Sequence, residues 1–219
     1  MIGVVIPAHD EEERLDACLA SVLRASRHPA LGGEPVRVMV VLDDCSDGSA
    51  RVAWEWGVRI LCVEARNVGW ARAVGSEWLL SNGARWLAHT DADTQVHPDW
   101  LAVQLALRAD AVCGVVEVDD WSVHATRVRQ RYEAAYVDAD GHSHIHGANL
   151  GVSAAAYARA GGFPALAAHE DVALVRALER TGADIAWSAR CRVRTSSRKD
   201  ARARGGFGDY LCGLAADPS

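Results

Sequence analysis

The sequence predicts an open α/β sheet, mostly parallel, with helices on both faces. Short β-branched runs recur through the first half, helical patterns separate them, and each crossover is long enough to return the next strand parallel to the last. The first run, Ile2 to Ile6, reads as a buried strand. Asp10 followed by Glu13 has the spacing of a capping box and predicts a helix through about Arg27. After a loop at 31–35 come strands at Val36 to Leu42 and Val58 to Val63, and a helix at Trp70 to Ser81. Arg85 to Thr90 is the fourth strand, Pro98 opens a helix to Arg108, and Ala111 to Val118 is the fifth strand. Further on, the pattern predicts a helix at Arg127 to Tyr136, a polar turn at Asp138 to Ser143 and a strand-like Ile145 to Val152. Helices follow at Ala154 to Ala160 and Asp171 to Arg180. With no repeat, low-complexity stretch or linker, the whole of 1–219 reads as one domain.

Half of the residues are hydrophobic, which supplies a core and excludes a disordered or fibrous chain. No apolar run approaches the roughly 20 residues that span a bilayer, so no transmembrane segment is expected. The start meets Asp10, Glu11, Glu12 and Glu13 at once, unlike a secretory leader. A cytoplasmic location follows as the expectation, with peripheral contact at a membrane surface as its variant. Six cysteines without paired or zinc-type spacing are expected to be reduced and to serve packing.

The net charge of -6 is unevenly placed. Arg190 to Arg204 holds seven basic residues against Asp200 alone, and the rest of the chain carries 16 basic and 28 acidic side chains. One concentrated basic segment on an acidic body suits a small anion such as a phosphate ligand better than a nucleic acid; the plain alternative is a solvated tail.

In open α/β sheets, ligands gather at the carboxyl ends of the strands. Four polar clusters fall there. The first strand leads to Pro7, Ala8, His9 and Asp10, and the second to Asp43, Asp44, Cys45, Ser46, Asp47 and Gly48. The third leads to Arg66, Asn67, Val68, Gly69 and Arg72, where a helix N-terminus and two arginines suit an anion. The fourth runs straight into Asp91, Ala92 and Asp93. Two carboxylates one residue apart can hold Mg²⁺ or Mn²⁺ while leaving positions for diphosphate oxygens. Asp138 and Asp140 repeat that spacing in a polar turn. His142, His144 and His146 would share one face of an extended segment, making a second metal site with Asp140 conceivable. Glu170 and Asp171 open a helix, where acids also compensate the helix dipole. Of the eight tryptophans, Trp54, Trp56, Trp78, Trp86 and Trp187 read as core or interface, and Trp70, Trp100 and Trp121 as closer to a cleft.

As an ordered set, these clusters resemble the family-two glycosyltransferases with the GT-A nucleotide-sugar fold. The resemblance runs from Val4–Glu12 through Asp43–Gly48, Arg66–Gly69 and Asp91–Asp93 to Gly147–Asn149, Gly161–Phe163 and Glu170–Asp171, about residues 2 to 180. It implies that 1–118 binds the nucleotide sugar, that 119–190 is the acceptor half and that 191–219 is a basic flap or tail. It also implies that Pro7, Ala8, His9, Glu11 and Asp44 surround the nucleoside, with Arg66 and Arg72 towards the nucleotide. Asp91 would face ribose or sugar, and Asp93 would bind a divalent cation, Mn²⁺ or Mg²⁺. Gly147, Ala148, Asn149 and Glu170 would line the donor and acceptor cleft, and Asp171 would deprotonate the acceptor hydroxyl. His9 and Asp10 depart from the aromatic residue and Asn common there. Arg198, Lys199, Arg202 and Arg204, flanked by Gly205 and Gly206, suit a flap over the diphosphate. The implied reaction moves a sugar from a nucleotide diphosphate sugar to a small-molecule or lipid-linked acceptor, with inversion. The alternatives are a nucleotidyltransferase, which would call for a Gly-rich lysine loop that the first strand lacks, and a non-catalytic nucleotide-sugar-binding module.

Overall fold

Every residue from Ile2 to Ala8 is buried, because this strand, β1, has parallel neighbours on both sides and helices on both faces. The computed structural model describes residues 1–198 and 206–216. Around β1 are β2 (Val36–Asp43), β3 (Arg59–Val63), β4 (Trp86–His89), β5 (Thr94–Val96), β6 (Ala111–Val118), β7 (Leu150–Ser153) and β8 (Ile185–Thr195). They form one sheet in the order β3-β2-β1-β4-β7-β6-β8-β5. β7 runs antiparallel to β4 and β6, and β5 antiparallel to β8; the other pairs are parallel.

The helices are α1 (Leu15–Ala25), α2 (Ser49–Glu55), α3 (Val68–Ser81), α4 (Trp100–Ala106), α5 (Thr126–Ala135), α6 (Ala154–Ala160), α7 (Glu170–Arg180) and α8 (Phe207–Ala216). Alternate side chains of β1 divide between two cores. Ile2, Val4 and Ile6 pack with residues of α1, α2 and α4, while Val5 packs with residues of α3, α6 and α7. α3 lies so close to the sheet that a Cβ at Gly75 would stand 2.8 Å from Val5 Cγ1 and 2.9 Å from Val41 Cγ2.

Several expectations need correction. The first helix begins at Leu15 rather than Asp10, and no capping box forms. Asp10 adopts a left-handed conformation and accepts from the Ser46 N–H at 2.7 Å and the Asp47 N–H at 3.2 Å, which clasps the loops after β1 and β2 together. Only Leu150–Ser153 of the expected Ile145–Val152 strand pairs, preceded by a 3-10 turn at Gly147–Asn149. The first six residues of the basic segment, 190–195, belong to strand β8 and not to a tail: Cys191, Val193 and Thr195 point inward, while Arg192 pairs with Asp138 and Glu117. Trp100 is fully buried, whereas Trp54 is 76% exposed. The six cysteines are free, and Cys62 is exposed rather than packed. Lys199, Arg202 and Arg204 lie outside the described residues. No helix among the described residues is long and apolar enough to cross a membrane.

Replacing Gly75 by Ala should improve intrinsic helix propensity by about 1 kcal/mol. Overpacking against two stiff valines costs roughly 1–3 kcal/mol, so net destabilisation is expected, read as a lower urea midpoint with an unchanged m value.

Candidate active site

Asp43, the last residue of β2, is buried and builds the loop that follows β3. Its carboxylate accepts from the backbone N–H groups of Ala65 at 2.7 Å, Arg66 at 2.8 Å and Asn67 at 2.6 Å. This holds Arg66 in a left-handed conformation and presents Asn67, whose side-chain oxygen caps α3 by accepting from the Trp70 N–H at 2.9 Å. Asp44, the expected nucleoside contact, does not line the cavity; its carboxylate pairs with Arg66, which does. His9 Nδ1 lies 2.6 Å from the Asp43 carbonyl oxygen, joining the tips of β1 and β2.

The strand tips open into a cavity of about 850 Å³. Pro7, Ala8, His9, Glu11, Arg66, Arg72, Asp91, Asp93, Gly147, Ala148, Glu170, Asp171 and Arg198 all line it. Asn149 does not. Its amide is spent in the core, donating to the carbonyls of Val115 and Cys191 at 2.8 Å each and accepting from Trp100 Nε1 at 2.9 Å. The adjacent Gly147 is required for a different reason: a Cβ there would stand 2.6 Å from Arg72 Nη2.

Arg72 is the hub. Carried on α3 and only 2% exposed, it donates from Nε to Glu170 Oε1 at 3.0 Å and from Nη2 to Asp91 Oδ1. Burial pushes the Glu170 carboxyl up, against the attraction of Arg72. Asp171 sits beside it at the start of α7. Its Oδ2 accepts from the Gly147 N–H and its Oδ1 from the Val172 N–H, both at 2.7 Å.

Asp93 is mostly buried, and burial followed by the negative charge of Asp91 pushes its carboxyl to about 7. Arg198 stands 3.4 Å from Asp93 and grips Glu11 through both terminal nitrogens. This corner gathers the carboxylates of Glu11, Asp91 and Asp93, and added positive charge there would favour the ionised form of Asp93. Such a donor set fits Mg²⁺ or Mn²⁺, which take one or two carboxylates and fill remaining positions with water and phosphate. Asp138 and Asp140 do not compete: Asp138 binds Arg192, and Asp140 accepts from Ser188 Oγ and the Ala189 N–H at 2.8 Å each. Among the described residues, the one tight group of three potential ligands is Asp10, Cys45 and Asp47, whose hydrogen bonds instead serve the loop clasp.

His142, His144 and His146 do share one face. Their rings stack at 5.3 and 5.9 Å, but not as a metal cluster. His144 and His146 line the cavity together with Tyr136, Phe207 and Tyr210, an aromatic wall the sequence reading missed because α5 and α8 meet only in the tertiary fold.

A model of glycosyl transferase family 2 matches residues 3–158. The chain belongs to that family. Among solved structures, S. aureus TarS in complex with UDP-GlcNAc superposes with a TM-score of 0.71 at 12% identity, covering 97% of this chain and 64% of that one. The mannosyltransferase PcManGT from Pyrobaculum calidifontis, in complex with GDP-Man and Mn²⁺, gives 0.67 at 18% identity, with 92% and 58% covered. GalNAc-T7 with UDP, GalNAc and Mn²⁺ gives 0.67 at 15% identity, with 95% and 45% covered. The GT-A fold is shared with all three, and this chain spans less than two-thirds of the length of each. No curated protein sequence matches it.

Asp43→Ala should release the three N–H groups that set the entry to α3 and cost about 3 kcal/mol. A lower melting temperature and weaker binding of a nucleoside diphosphate in calorimetry are the expected readouts.

Proposed function

We propose that this chain transfers a sugar from a nucleoside diphosphate sugar to an acceptor hydroxyl, with inversion and with a divalent cation. The observation that carries this reading is the bridge made by Arg72. One buried guanidinium holds Asp91 of the β4 tip and Glu170 of α7, so the acids suited to a donor and the carboxylate suited to a base, Asp171, open into one cavity. Family membership and the nucleotide sugars held by TarS and PcManGT support the same donor class.

Pro7, Ala8, His9 and Glu11 would form the nucleoside side of the pocket. Asp44 takes part in this reading only through Arg66, which it orients. Asp93, with Asp91 beside it, would hold the cation; when bound, it supplies positive charge to the diphosphate as it leaves. Arg198 would add to that charge, stabilising the leaving group more than the bound substrate. At the other side, the Gly147 N–H fixes Asp171 Oδ2, which retains lone-pair capacity to accept the proton of the acceptor hydroxyl. As the acceptor oxygen forms its bond to the anomeric carbon, the bond from that carbon to the diphosphate oxygen breaks. The proton ends on Asp171, and the electron pair departs with the nucleoside diphosphate.

Incubation with a panel of nucleotide sugars and Mn²⁺ tests the reading. Release of a nucleoside diphosphate supports it; release of pyrophosphate would mean nucleotidyl transfer, and nucleotide-sugar binding without turnover would mean a binding module. Asp171→Asn should reduce transfer by roughly 10²–10⁴-fold with nucleotide affinity kept, and NMR of the first product should find the inverted anomer. Mn²⁺ with UDP should raise the melting temperature of the parent protein but not of Asp93→Asn.

A further inference from the structure

The lining of the cavity is of two kinds. Glu11, Asp91 and Asp93 supply carboxylates near the strand tips, and Tyr136, His144, His146, Phe207 and Tyr210 supply rings. Tyr136 and His144 stack at 4.0 Å with their planes 2° apart, His146 meets the edge of Phe207 at 6.1 Å, and Phe207 lies 6.3 Å from Tyr210.

This wall is braced from behind. The Tyr136 hydroxyl oxygen accepts from the Val116 N–H at 2.8 Å, which leaves its own proton to donate to His146 Nε2 at 3.1 Å. His144 Nε2 accepts from the Val137 N–H at 3.0 Å. Tyr132 packs against both Phe207 and Tyr210, and Arg131 donates to the Leu214 carbonyl at 2.8 Å, so α8 is seated on α5. Burial lowers the pKa of His144 and takes that of His146 to about 3, so both rings are neutral near pH 7.

Position and charge define the occupant. His146 precedes Gly147, whose N–H binds Asp171, so the wall begins one residue from the carboxylate suited to take an acceptor proton. Each arginine lining the cavity among the described residues pairs with an acid outside the ring wall: Arg66 with Asp44, Arg72 with Asp91 and Glu170, Arg176 with Glu179, and Arg198 with Glu11 at the corner proposed for the donor diphosphate. Neutral π faces attract the apolar face of a ring but give an anionic group no counter-charge.

We propose that this wall is the acceptor subsite and selects an uncharged acceptor whose hydroxyl-bearing hexose or aryl ring packs against it, in preference to a phosphorylated one. The proposal rests on the glycosyl-transfer reading above and names its acceptor class.

Saturation-transfer NMR tests it, on the free protein and with UDP and diamagnetic Mg²⁺ added, using methyl glucoside, phenyl glucoside and a hexose phosphate as probes. Transfer to the neutral glycosides should exceed transfer to the phosphate by about fivefold, equivalent to about 1 kcal/mol. Saturation concentrated on hexose protons identifies a sugar ring as the stacked group, and on aryl protons an aromatic one. Tyr210 is 46% exposed, so Tyr210→Ser should fold and lose the signal; Phe207→Leu keeps the apolar packing and should weaken it. Equal or stronger transfer to the hexose phosphate, or signals unchanged in both variants, would overturn the proposal. Calorimetry with UDP reports separately on the donor reading: absence of UDP binding counts against glycosyl transfer, while the probe comparison on the free protein still decides the ring wall.

Discussion

A buried arginine must find carboxylates, and the site depends on how Arg72 finds them. Removing a guanidinium from water costs several kcal/mol unless opposite charge and hydrogen bonds replace the lost hydration. Arg72 obtains both from Asp91, at the tip of β4, and Glu170, at the start of α7. Those residues are far apart in sequence and belong to the two halves of the chain. The cost of leaving the charge unpaired therefore fixes the distance between the halves. Gly147 belongs to the same constraint, since any side chain there would occupy the space of the guanidinium.

The remaining charges are arranged around an imbalance. Glu11, Asp91 and Asp93 crowd one corner, Arg72 and Arg198 offset part of their charge, and Asp93 remains hard to ionise. A ligand set that repels itself when empty binds a divalent cation more readily than one already neutralised, because binding relieves the repulsion. The ring wall lacks this pressure: burial lowers the pKa of His144 and His146, and the Tyr136 hydroxyl is satisfied by a neighbouring backbone N–H and a ring nitrogen. One cavity thus joins a cluster of carboxylates to a group of rings.

Strand β8 explains why the charge count misled about the basic segment. Arg190, Arg192 and Arg194 alternate with Cys191, Val193 and Thr195, a period-two pattern that marks a strand with one buried face. Arg192 and Arg194 reach acidic partners on neighbouring elements, Glu117 for both and Asp138 for Arg192. Of the described arginines in that segment, Arg198 is the one that reaches the cavity, beside Thr195 and Ser196. Alternation was visible in the sequence; a run of arginines drew attention to charge before periodicity.

The sequence by itself determined the open α/β sheet, the ends of β1 to β4 as the place for polar residues, and the position of β6, because hydrophobic period and strand-end polarity are local properties. It also placed Asp91, Asp93 and Asp171 on elements whose ends line a common cavity. Tertiary structure decided what local pattern does not encode. Asp43 rather than Asp44 became the loop anchor because three free N–H groups converge on it. Asn149 became a core bracket because its neighbours are Trp100, Val115 and Cys191 from three other elements. The aromatic wall likewise exists only where α8 seats on α5. Hydrogen-bond geometry and ring packing depend on residues brought together across the chain, and those distances are set by the folded core rather than by sequence spacing.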